Sequence, residues 1–122
     1  MSIRSNGVLL DTNSLIYSLK NRVDIQLILN FKFNIFRIAV PECVIRELEN
    51  LSTSVPYAKG ALLLSKRFEI IPARGHGDNC LIDTALDVGY SVLTNDRKLI
   101  ERLREKGVSC LTIKGKNDIT SV

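Results

Sequence analysis

The chain has little of what most metal and cofactor chemistry draws on. Its 122 residues contain one histidine, His76, and three cysteines, Cys43, Cys80 and Cys110, far apart and without a Cys-x-x-Cys pair. Zinc sites use clustered cysteine and histidine, so a zinc centre is excluded, and one histidine gives no basis for a cysteine–histidine dyad. The odd, scattered cysteines read as buried thiols in a reducing compartment rather than as a disulfide framework. Neither a Gly-x-Gly-x-x-Gly loop nor a P-loop is present, which argues against dinucleotide and P-loop nucleotide enzymes. No apolar run approaches the ~20 residues needed to span a bilayer. Met1 to Gly7 has one arginine and no apolar stretch, unlike a signal peptide. The expectation is a cytoplasmic protein with no membrane partner. Repeats and low-complexity segments are also absent, and the length is too short for two cores. A single domain over residues 1–122 follows, with its core from about Val8 to Ile113.

What is present is an ordinary globular composition, 45% hydrophobic and 25% charged, with a formal charge of +4 and a pI near 9.1. A mild basic excess suits an anionic partner without specifying one. The apolar runs alternate between strand-like and helix-like lengths. Strands are expected at Val8–Leu10, Arg37–Val40, Glu69–Pro72, Ser91–Thr94 and Val108–Ile113. Helices are expected from the capping cluster Asp11-Thr12-Asn13-Ser14 to about Lys20, over Val23–Phe33, from Pro41 at the first helical position to about Leu51, over Tyr57–Arg67, over Asp78–Val88 and over Arg97–Lys106. Arg74 to Gly77 reads as a flexible loop. Such alternation predicts an α/β fold, a parallel sheet of about five strands with helices on both faces. In these folds the active site lies beyond the carboxyl ends of the strands at the switch point of strand order. Asp11 and Asp96 both fall at such ends.

Helical phase sorts the thirteen acidic residues. In the helix after Pro41, Glu47 lies about 60° from Val44 on the stripe with Leu48 and Leu51, while Glu42 and Glu49 turn towards water. In the next acidic helix, Asp78 lies within the arc of Leu81, Ile82, Ala85 and Val88, whereas Asp83 and Asp87 lie about 160° from its centre. Each inward acid also has a plain structural reading. Asp11 and Asp96 could be helix caps, Asp78 a first-turn acid on the helix dipole, and Glu47 a core-edge acid paired with lysine or arginine. Four acids converging on one sheet edge is not what capping alone gives. Carboxylates sharing a cleft repel one another unless a cation neutralises them, and an all-oxygen set suits magnesium or manganese.

These residues sit in segments that resemble the PIN-domain ribonuclease family: VLLDTNSLI, VPECVIRELENL, GDNCLIDTAL and SVLTNDRKL, in the family's order and spacing, from about Val8 to Ile113. The resemblance implies a three-layer α/β/α sandwich, often dimeric, with divalent-metal-dependent endoribonuclease activity. It implies Asp11, Glu47, Asp78 and Asp96 as the catalytic acids, Asp11, Asp78 and Asp96 as direct ligands of Mg2+ or Mn2+, and Glu47 as a water-mediated ligand or a positioner of the attacking water. Asn13 and Thr94 would orient water or carboxylates. Arg97, Lys98 and His76 are weaker candidates for substrate contact. The basic run Arg97, Lys98, Arg102, Arg104 and Lys106 fits an RNA backbone, or simply a solvated helix. The implied partners are RNA and either an antitoxin or a ribosome-assembly factor, since a toxin and an RNA-processing enzyme both remain open. A phosphatase of the haloacid dehalogenase type needs an aspartate where Asn13 stands. The reading from a different class is a non-catalytic RNA- or protein-binding module that keeps the acids for folding.

Overall fold

The computed structural model describes residues 7–122; the reading of Met1 to Gly7 as unlike a signal peptide lies, but for Gly7, outside them. Six strands and six helices are present among the described residues: β1 (Gly7–Leu10), α1 (Thr12–Asn21), α2 (Ile25–Phe33), β2 (Arg37–Pro41), α3 (Glu42–Leu51), α4 (Ala58–Ser65), β3 (Glu69–Ile71), α5 (Gly77–Val88), β4 (Ser91–Leu93), α6 (Arg97–Glu105), β5 (Cys110–Lys114) and β6 (Asp118–Ser121). The sheet order is β3-β2-β1-β4-β5-β6, parallel except for the antiparallel β5–β6 pair. All four residues of β1 are buried. Successive strand residues point to opposite faces, so burial this complete requires cover on both. The molecule is the expected three-layer α/β/α sandwich, with Val8, Leu9, Leu10, Val40, Leu93 and Leu111 at its centre.

From β1 the chain runs outward through β2 to β3, then returns to place β4 on the other side of β1. The switch point therefore lies between β1 and β4, and Asp11 and Asp96 follow these two strands.

Five expectations change. The sheet does not end near Ile113: Gly115, at φ 63°, turns the chain into β6, which pairs Ile113 with Ile119 and buries Ile119 completely. A four-residue strand with one core residue carries too weak an alternation to announce itself. Pro41 ends β2 and precedes α3 instead of opening it, and Asp24 delays α2 to Ile25 by accepting the Leu27 amide at 3.0 Å. The loop after β3 is held down: Arg46 Nη2 donates to the carbonyls of Ala73 and Gly75 at 3.0 and 2.8 Å, and Glu42 Oε1 accepts the Ala73 amide at 3.0 Å. Finally, Cys43 and Cys80 form a disulfide, with Cα atoms 6.6 Å apart; only Cys110 is a buried free thiol. The pair is 37 positions apart in sequence, but it joins the first turns of α3 and α5, a proximity that only tertiary packing creates.

Candidate active site

A small cleft of about 120 Å³ opens at the switch point, and Asp11, Glu47, Asp78 and Asp96 all line it with Thr12 and Asn13. Asp11 is the most deeply placed of the four acids, 7% exposed. It caps α1, its Oδ1 accepting the Ser14 amide at 2.7 Å. Burial pushes its carboxyl above the ordinary aspartate value, hydrogen bonds from Ser14 and Thr94 pull it back, and the charge of Asp96 raises it further. Ser14 in turn donates its hydroxyl to the Leu93 carbonyl at 3.2 Å, locking the start of α1 against β4.

Asp96 is exposed and caps α6, accepting the amides of Lys98 and Leu99 at 3.0 and 3.3 Å. Its own amide donates to Thr94 Oγ1 at 3.1 Å. Thr94 is fully buried and hydrogen-bonds to both strand-end acids. Asp78 sits half-buried in the first turn of α5, with Arg102 Nη1 4.0 Å from its Oδ2.

Glu47 differs in part from its reading by phase. It faces the cleft but is exposed, whereas Glu42, assigned to the water side, is the more buried acid because it holds the Ala73 amide. Helical phase gives direction but not how far neighbouring loops cover a turn. Glu49, Asp83 and Asp87 are exposed and none of them lines the cleft.

The residue that holds Glu47 is one that sequence reasoning gave no role beyond a helix cap. Buried Thr12 donates its hydroxyl to Glu47 Oε2 at 3.1 Å. The only signal was its place between Asp11 and Asn13. Asn13 itself lies exposed on the cleft wall. His76 precedes α5, exposed, and does not line the cleft. Arg97 and Lys98 do not line it either, although they follow Asp96 directly. The Cys43–Cys80 bridge ties together the two helices that carry Glu47 and Asp78. Among the described residues, no three acidic, histidine or cysteine side chains stand close enough to hold a metal ion between them.

Comparison with known proteins agrees with this architecture. A family model described as "PIN like domain" matches residues 8–116. Ribonuclease VapC9 of Archaeoglobus fulgidus is 33% identical over 113 residues, covering 86% of this chain and 83% of that protein. The solved structure of the PIN domain endonuclease Utp24 superposes with a TM-score of 0.81 at 28% identity, over 94% of this chain and 90% of that one. With the model matched across nearly its whole length, the chain belongs to the PIN-like domain family.

Proposed function

We propose that the chain is a divalent-cation-dependent endoribonuclease whose working carboxylates are Asp11, Glu47, Asp78 and Asp96. The observation that carries this reading is a charge imbalance. Four carboxylates line one cleft, and the guanidinium of Arg102, 4.0 Å from Asp78, is the nearest counter-charge among the described residues. Buried Asp11 has hydroxyl and amide donors but no cation. Such a set calls for a positive ion, and its oxygen-only chemistry suits Mg2+ or Mn2+. Asp11, Asp78 and Asp96 would hold it, one or two of them directly and the remainder through its retained waters. Magnesium keeps several waters and takes one or two direct carboxylates, a mode compatible with acids that do not enclose a single point. Relatives named as a ribonuclease and as an endonuclease support RNA hydrolysis.

When bound, the cation supplies Lewis acidity, stabilising charge on the phosphate and lowering the pKa of water. The protein supplies placement. Ser14 and Thr94 fix Asp11, and the Cys43–Cys80 bridge fixes α3 against α5. Glu47 has Oε2 occupied by the Thr12 hydroxyl, which leaves Oε1 to orient a water and take its proton. The water oxygen bonds to phosphorus as the P–O3′ bond breaks, giving 5′-phosphate and 3′-hydroxyl ends, the 3′ oxygen drawing its proton from solvent. The partner of such an enzyme would be an antitoxin or a ribosome-assembly factor, and co-purification from the native host separates the two.

The test is incubation with structured and unstructured RNA in Mg2+ or Mn2+ against a chelator. Cleavage should stop on chelation and return on adding the ion back. Cleavage indifferent to chelation contradicts cation dependence, and RNA bound but never cut supports a binding module instead.

A further inference from the structure

We propose that the groove between α6 and the β5–β6 hairpin carries the phosphate backbone of a single-stranded RNA leading into the acidic cleft. This rests on the nuclease reading and names the path of its substrate.

The groove encloses about 560 Å³ and begins on either side of Asp96, for Asn95 and Arg97 line it while Asp96 lines the cleft. One wall is a stripe of α6. Arg97, Glu101 and Arg104 stand at i, i+4 and i+7, the spacing that puts side chains on one helical face. The other wall is one face of the hairpin. Strand side chains alternate, so Leu111, Ile113 and Ile119 enter the core while Thr112, Lys114 and Thr120 line the groove. Thr112 and Thr120 are cross-strand partners, with hydroxyls 3.4 Å apart. Ile100, Ile113 and Val122 also line the groove, so its cations and hydroxyls stand around a partly open apolar floor.

Three of the groove's cations keep no close partner. Among the described residues, Arg97, Arg104 and Lys114 make no side-chain hydrogen bond or ion pair within the protein. The acid opposite Lys114 in register, Asp118, is taken by Lys32 at 2.8 Å. Glu101 is the one acidic side chain among the groove's lining residues, and Asp118 acts on Lys114 through space alone. By contrast, Arg102 turns the other way, to Asn79 and Asp78.

The mouth is also held in place. Asn95 donates Nδ2 to the Ile113 carbonyl at 2.9 Å and accepts the Ile113 amide at 2.8 Å. This two-point clasp fixes the turn bearing Asp96 to β5, so groove and cleft keep one geometry. Cations with interleaved hydroxyls recognise phosphate and sugar oxygens without reading sequence.

The experiment uses the full chain carrying Asp11→Asn, so that RNA is held uncut. Anisotropy of a fluorescent oligouridylate is followed over a range of KCl. Substituting Arg97→Gln, Arg104→Gln and Lys114→Gln together should weaken binding by about 10- to 100-fold and reduce the slope of log K against log salt by about 2, at ~0.7 per phosphate on single strands. A matched set, Lys20→Gln, Lys66→Gln and Arg67→Gln, removes equal charge elsewhere and should change binding by less than about threefold. Equal loss in both sets, or an unchanged slope in the first, overturns the groove. So does binding of poly-glutamate in place of the oligouridylate, which would mark a protein-docking surface. Cross-linking of a 4-thiouridine oligomer to the Asp11→Asn chain, its groove intact, should map to α6 and β5–β6, and adducts confined elsewhere contradict the proposal. Cleavage by the wild type is scored separately: cleavage with an idle groove refutes only this path, and a working groove without cleavage refutes only the nuclease reading.

Discussion

The hydroxyl of Thr12 donates to Glu47 Oε2 at 3.1 Å, joining the first turn of α1 to α3 across 35 residues of sequence. The bond leaves one carboxylate oxygen of Glu47 for chemistry and fixes its direction. Thr12→Val keeps the shape and loses the donor. Cleavage should fall about 10- to 100-fold, the order expected when a reacting group is misplaced. Stability should change by about 0.5–1.5 kcal/mol. Thr12→Ser should restore most of the rate. Steady-state cleavage beside denaturant unfolding separates the two effects.

Asp11 provides a pH test. Its pKa is raised on folding, chiefly by burial, so the folded chain keeps a proton that the unfolded chain has released. Its contribution to stability is present at low pH and is lost as pH rises from the ordinary value of 3.8 through the raised one. Asn also caps helices well, so Asp11→Asn should flatten this pH dependence and leave the neutral-pH chain at least as stable. Mg2+ should raise the melting temperature of the wild type and not of the variant, because an ion that binds only the folded state stabilises it. Thermal scans from pH 3 to 8, with and without the ion, make the comparison.

The Cys43–Cys80 bridge closes a loop of 37 residues. Cross-links of this reach stabilise by about 2–4 kcal/mol. Reduction by a dithiol, or Cys43→Ser with Cys80→Ser, should lower the unfolding midpoint accordingly. Titration of thiols in denaturant should find one per oxidised chain and three after reduction.

Cys110 should then be inert while the fold persists. Burial pushes its thiol up to about 11, against a smaller lowering by Arg104. At pH 8 only about one thiol in a thousand is thiolate, and thiolate is the reactive form. Alkylation followed by mass spectrometry should show negligible modification until the chain unfolds.

How much was legible follows from what kind of signal each feature leaves. Five of the strands and the position of Asp11 and Asp96 were readable because apolar runs and turn residues are local. Strand β6 was not, since Ile119 is its single core residue. Phase placed Glu47 on the cleft but misjudged Glu42, whose burial depends on the Ala73 loop folding over it. The Thr12–Glu47 bond, the Asn95 clasp on Ile113 and the Cys43–Cys80 bridge each join distant segments, and no periodicity within one segment encodes them. The groove shows the same limit. The basic run of α6 was visible as a run, but its division between Arg102 facing Asp78 and Arg97 with Arg104 facing β5 depends on the packed neighbours.

The most direct measurement is a carboxylate panel assayed for RNA cleavage in Mg2+. Asp11→Asn, Glu47→Gln, Asp78→Asn and Asp96→Asn should each reduce cleavage by at least about 100-fold, the scale on which removing one preorganised electrostatic group acts. Glu49→Gln and Asp83→Asn, exposed acids outside the cleft, should stay within about twofold of the wild type, as uncoupled surface positions do. Equal activity across all six variants, or a loss no greater in the cleft than outside it, would contradict the assignment of the site.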